Sequence, residues 1–174
     1  LELLVLRTEL KADLNTYLYT APAAVPTRSL AEVMAFNRAE PRELSLFGQE
    51  HFEAAEKTRG LDDPVYRAAR ATSQKLAADA IDGALRGQRL DAIIMPAMGP
   101  AWRTDTVRGD VHIGGSSQLP AVSGYPNLTV PMGEVGGLPV GLSFIGTAWS
   151  DADLLALGAA YEQAAHARKP PTYI

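Results

Sequence analysis

Residues 127–146 read NLTVPMGEVGGLPVGLSFIG. Two apolar runs, 128–130 and 140–145, flank Pro131, the adjacent glycines Gly136 and Gly137, and Pro139. A single helix cannot accommodate this string, because each proline removes a backbone donor and each glycine weakens a helix interior. Two strands joined by a tight turn can. Val140, Leu142 and Phe144 alternate with Gly141, Ser143 and Ile145. One face of the second strand is therefore large and apolar, and the other mostly small. The small face invites close approach by a helix or another backbone, so covering helices are expected there. The stretch predicts a hairpin inside a covered sheet, with helices and loops around it.

Working outward, the C-terminal side predicts one helix. Ser150 and Asp153 have capping-box spacing, and Leu154, Leu157, Gly158, Tyr161 and Ala165 form a stripe. Arg168 and Lys169 are placed in its last turn, before Pro170 and Pro171. On the N-terminal side, residues 97–125 are rich in Gly, Pro and polar residues. Irregular stretches of this length are uncommon and are often functional. The stretch follows 92–95, a continuous apolar run expected of a strand buried on both faces. A long helix from Pro64 to about Arg86 precedes that strand, with Asp63 as cap and Gly87 as stop. Its stripe is Tyr66, Ala69, Ser73, Leu76, Ala77, Ala80 and Ala84, widened by Ile81 and Leu85. Short helices are expected at 49–58, with Gly60 as C-terminal cap, and after Ser29, where Glu32 completes a capping box. Leu3, Leu6, Leu10, Leu14, Tyr17 and Leu18 mark a first helix already running at residue 1. A chain that opens in mid-helix is expected to be a fragment. The fold class expected is α/β, one unit over residues 1–174.

Composition narrows the function. The chain has 174 residues, 47% hydrophobic and 21% charged, in the range of an ordinary globular domain with a real core. A net charge of -4 without a basic block argues against nucleic acid as main partner. No cysteine is present, so disulfides, thiolate metal sites and a cysteine nucleophile are excluded, in keeping with a cytoplasmic protein. No apolar run reaches the roughly 18 residues a membrane span needs. His51, His112 and His166 are scattered, without metal-ligand spacing. There is no G-x-S-x-G elbow, and the glycines of 133–141 are not followed by the Lys-Ser/Thr of a phosphate loop.

Candidate site residues lie in the long loop. Ser116 and Ser117, in Gly114-Gly115-Ser116-Ser117, carry hydroxyls that could bind a polar group of a substrate or act as nucleophile. The competing reading is a turn with ordinary hydroxyl bonds. Trp102 could wall a pocket or anchor the core.

GYPNLTVPMG at 124–133, GLPVGLSFIG at 137–146 and the helix ending YEQAAHARKPP resemble the C-terminal end of amidase-signature-family enzymes. LDAIIMP at 90–96 is similar to the family's strand before the pocket loop. TELKADLNTYL at 8–18 and AFNRAE at 35–40 resemble the bacterial amidase and peptide-amidase-like branch. The resemblance spans essentially the whole chain. It implies an α/β/α fold with a large mixed sheet, of which this chain holds a few strands, including the hairpin, covered by helices. It implies hydrolysis of carboxylic amides through a serine nucleophile, a bridging serine in a cis peptide and a lysine base, without metal or cofactor. In the family, that lysine and the Gly/Ser-rich signature lie upstream of these motifs, and nothing in this sequence matches them. No catalytic residue is carried over. Trp102, Ser116 and Ser117 are pocket-wall candidates, and the implied partners are the missing N-terminal part and a small amide. Buried-type surface left uncovered would lead the chain to aggregate or to pair as a homodimer. Two rivals remain: a non-catalytic binding or scaffold module of an amidotransferase-like complex, and a minimal hydrolase using Ser116 or Ser117.

Overall fold

The computed structural model describes residues 1–110 and 113–171. His112 lies outside the described residues. Two compact units divide the chain, Leu1–Ser73 and Gln74–Ile174.

The first unit is helical. Helix α1 spans Glu2–Thr20, α2 Leu30–Ala39 and α3 Glu50–Glu56; α4, Pro64–Gln88, begins here and ends in the second unit. Leu30, Met34 and Ala55 form the core, with Leu10, Leu14 and Phe52 packed against it. The cap expected at Ser29 forms, its Oγ accepting the Glu32 N–H at 3.2 Å. The Glu32 carboxylate in turn accepts the N–H of Arg28, one residue earlier than a capping box requires. Asn15 Oδ1 accepts the Leu30 N–H at 2.7 Å, tying α1 to the start of α2. Gly60, expected to cap α3, does not. The helix ends at Glu56, and Gly60 has φ 90° in the turn that leads to Asp63. Asp63 Oδ1 accepts the Val65 N–H at 2.9 Å, so the cap of α4 is as expected.

The second unit is built on the hairpin. Strands β1 (Ile93–Pro96), β2 (Asn127–Val135) and β3 (Leu138–Ile145) form a sheet of order β1-β3-β2, both pairings antiparallel. Gly136 and Gly137, at φ 60° and 79°, supply the left-handed turn between β2 and β3. A bulge falls between Pro131 and Gly133, leaving Met132 as the extra residue.

The two sheet faces are covered differently from expectation. Helix α6 (Asp151–Ala165) lies on the large apolar face, where Val130, Leu142, Phe144 and Leu154 are buried together. Gly158 makes this possible, since a Cβ there would sit 2.5 Å from Leu128 Cδ2. On the other face, Ile81 and Leu85 of α4 bury Ile145. Over Gly141 and Ser143, however, the cover is the loop after β1 rather than a helix. A Cβ on Gly141 would meet Thr129 Cγ2 at 2.6 Å and Ala97 Cβ at 3.3 Å.

Further expectations are corrected. Helix α4 runs past Gly87, and the chain turns at Arg89 with φ 54°. Leu76 of its expected stripe is exposed. Helix α6 has no side-chain cap: the Ser150 hydroxyl donates instead to Thr147 O at 2.8 Å. Arg168 and Lys169 lie beyond its end, and Lys169 Nζ reaches Glu134 Oε2 at 2.8 Å. Strand β1 is not buried on both faces; Ile94 is 60% and Met95 38% exposed. A short helix, α5 (Gln118–Ser123), interrupts the long loop.

Candidate functional site

The loop after β1 leaves and rejoins the sheet through backbone bonds. Ala97 N–H donates to Gly141 O at 2.7 Å, and Ser116 N–H donates to Ala97 O at 3.0 Å. Between them Met98 and Gly115 face each other in an isolated antiparallel bridge. Gly115 is required by this closeness, because a Cβ would lie 2.7 Å from Ala97 O. Farther out, Asp105 Oδ1 accepts the Val107 and Arg108 N–H groups at 2.9 and 2.8 Å, which holds that carboxyl below the ordinary carboxylate range.

Ser116, 5% exposed, turns its hydroxyl onto the small face of the sheet. It donates to Ser143 Oγ at 2.7 Å, and Thr129 Oγ1 lies 2.9 Å from the same Ser143 oxygen. Asn127 Nδ2 and Ala97 O lie at 3.5 and 3.4 Å from Ser116 Oγ. The partners are hydroxyls, an amide and a carbonyl. Among the described residues no imidazole, amine or carboxylate reaches Ser116, so none of them activates it as a nucleophile. What the array does is fasten the loop to the sheet. Ser117 is exposed at the start of α5 and makes no side-chain cap bond. Trp102 is 44% exposed on the loop. The structure thus separates the three sequence candidates: Ser116 faces inward, while Ser117 and Trp102 face solvent.

Ser143, Thr129 and Asn127 were not among the sequence candidates; the alternation set Ser143 on the small face, but helices rather than the loop were expected over it. Nor does the sequence announce a concave space of about 430 Å³ where β1 ends. Met95, Met98, Met132, Val135, Val140 and Ile113 line it together with bare loop glycines. Three of the chain's four methionines converge there.

A polar node stands apart from this loop. Asp82 of α4 accepts the Thr147 hydroxyl at 2.6 Å and the Tyr125 hydroxyl at 3.2 Å, and Arg86 Nη2 lies 3.4 Å away. The Thr147 bond, aided by Tyr125 and Arg86 against the effect of burial, holds the Asp82 carboxyl below its ordinary value. Burial and the bond to Asp82 push the Tyr125 phenol up. Of the histidines, His51 Nδ1 accepts from Arg7 Nη2 at 3.1 Å, and His166 ends α6 in the left-handed region. Among the described residues no three His, Cys, Asp or Glu side chains gather as metal ligands would, and no helix is long and apolar enough to cross a membrane.

Similarity to known proteins places this geometry. A probable amidase of Arabidopsis thaliana is 35% identical over 99% of the chain, which covers 31% of that protein. The crystal structure of native peptide amidase from Stenotrophomonas maltophilia superposes with a TM-score of 0.85 at 46% identity, over 99% of this chain and 34% of that one. An amidase family protein from Bacillus anthracis gives 0.75 at 33% identity, over 98% and 30%. The chain therefore spans about a third of the length of these relatives. The family model for amidases matches residues 3–155, and the chain belongs to the amidase family.

Proposed function

We infer that this chain forms part of an enzyme that hydrolyses carboxylic amides, supplying sheet core and one wall of the substrate pocket. The reading rests on one observation above all: almost the whole chain aligns with about a third of each amidase it matches. The hydrolytic machinery, a serine nucleophile, a bridging serine in a cis peptide and a lysine base, is then supplied outside these residues. The surroundings of Ser116 support this division, because its hydroxyl is buried among neutral groups. Without nucleophile, base or oxyanion donors, the rate enhancements of about a millionfold or more typical of enzymes are beyond the chain alone. Ser116, Ser117 and Trp102 serve on the pocket wall, Ser116 by holding the loop and the other two by facing outward from it. The two compact units act together in this role, as parts of one amidase domain.

A chimera tests the proposal. This chain replaces the aligned third of the Stenotrophomonas maltophilia peptide amidase, and release of ammonia from a peptide amide is measured. Turnover within about a hundredfold of the parent enzyme, about 3 kcal/mol in activation free energy, is the expected result. A folded chimera with no turnover would sink the reading. The isolated chain, with Ser116→Ala and Ser117→Ala beside it, is expected to show no serine-dependent turnover.

A further inference from the structure

We propose that the concave space at the end of β1 is a binding site for the uncharged, apolar substituent of a small amide, and that its methionines set which amides are accepted. The proposal rests on the amidase reading for the word amide; the site itself rests on geometry. Register shows why there is space. Strand β1 pairs with β3 only from Ile145 to Leu142, so beyond Pro96 the sheet narrows from three strands to two. The loop stems, 98–100 and 113–115, wall the gap on one side and the hairpin walls it on the other. The bridge of Met98 with Gly115 and the bonds at Ala97 fix the stems in place. The wall is thus built before any ligand arrives.

The bulge supplies the second argument. Pro131 pairs with Gly141 and Gly133 with Val140, which leaves Met132 unpaired on the wall of the space. Bulges commonly re-aim a side chain beside a site. Gly133, at φ 149°, takes the backbone conformation this needs.

The chemistry of the lining names the ligand. None of the described lining residues is ionisable, and Met95, Met98 and Met132 meet there with Val135, Val140 and Ile113. A charged substituent would lose its water and gain no partner among them. Thioether side chains are unbranched and polarizable, so they repack around apolar groups of differing shape. A volume of about 430 Å³ suits a small organic group, within the usual span of roughly 300–1,000 Å³ for small-molecule sites.

The methionines also provide the test. Methyl-¹³C-methionine labelling of this chain gives four signals, with Met34 in the helical core of the first unit as internal control. Phenylacetamide is titrated as the neutral probe and 4-carboxyphenylacetamide as its charged counterpart. The Met95, Met98 and Met132 methyls are expected to shift saturably, with Kd of about 1 mM for a ligand of this size. Met34 should stay still, and the charged amide should bind at least tenfold more weakly. Val135→Glu and Ile113→Glu, both at exposed positions, should each weaken phenylacetamide at least tenfold. Absence of a saturable shift at the three methyls overturns the proposal, as does equal binding of the charged probe or a parallel shift of Met34. Probe binding alongside a folded but inactive chimera would remove the amidase reading and leave the apolar site standing.

Discussion

Asp82 shows how one carboxylate orders a region. It receives hydroxyls from Tyr125, just before β2, and Thr147, just after β3. Its folded pKa is lowered, so its contribution to stability is present above the ordinary aspartate value and is lost as pH falls through the folded value. Tyr125 has a raised folded pKa. Its contribution is present below the ordinary tyrosine value and is lost as pH rises through the folded one. Stability measured by urea unfolding should therefore hold across the neutral range and fall at both ends. Asp82→Asn should flatten the acid limb, and an unchanged acid limb would refute the assignment. Ser143 is the comparable residue at the loop. With both neighbours intact its hydroxyl is satisfied, whereas losing it leaves the buried Ser116 hydroxyl short of a partner, at a cost of about 1–3 kcal/mol.

At the scale of elements, the hairpin was legible because its signals are local. Two glycines supply left-handed backbone between two short apolar runs, and the turn falls where they stand. Helix α4 was legible for the same reason, through Asp63, Pro64 and the buried residues Tyr66, Ala69, Ala77, Ile81 and Leu85. Burial of β1 and the cover over the small sheet face were misread, because both depend on residues distant in sequence. The run of 92–95 carries the composition of an interior strand, but its outer edge meets no strand among the described residues. Gly141 announced a close approach without saying what approaches; it is Ala97 and Thr129. The absent cap at Ser150 is a local failure, in which the hydroxyl prefers Thr147 O to the helix. Gly141→Ala should destabilise by about 1–3 kcal/mol, the usual cost of overpacking. Thr129→Ser removes the clashing Cγ2 while keeping the hydroxyl on Ser143, so the double variant should recover most of the loss. Additive losses in urea unfolding would show that the clash lies elsewhere.

At the scale of the molecule, the two sheet edges differ. Strand β2 carries Pro131, the bulge at Met132 and the Glu134–Lys169 ion pair, all devices that discourage edge pairing. Strand β1 has Ile94 and Met95 exposed and no charge within it. Unless another segment covers it, this edge should recruit a second copy of the chain. Light scattering on the purified chain should show concentration-dependent association, and Ile94→Lys should reduce it. Strictly monomeric behaviour at high concentration, or association indifferent to Ile94→Lys, would mean the edge is inert. The candidate site was half legible at this scale. The loop was marked by its length and composition, whereas the methionine-lined space was not, because it is assembled from three segments that meet only when folded.

The closed base of that loop bears on how such proteins diverge. The chain departs at Met98 and returns at Gly115, and those two residues already face each other. Residues 99–114 can therefore grow or shrink between fixed endpoints, and each doubling of a flexible loop costs only about 0.6 kcal/mol in closure entropy. Lineages can rewrite this stretch by insertion and deletion while inheriting the sheet beneath it unchanged. Loop length and composition would then change faster than architecture, with the bridge between Met98 and Gly115 marking the boundary between the two tempos.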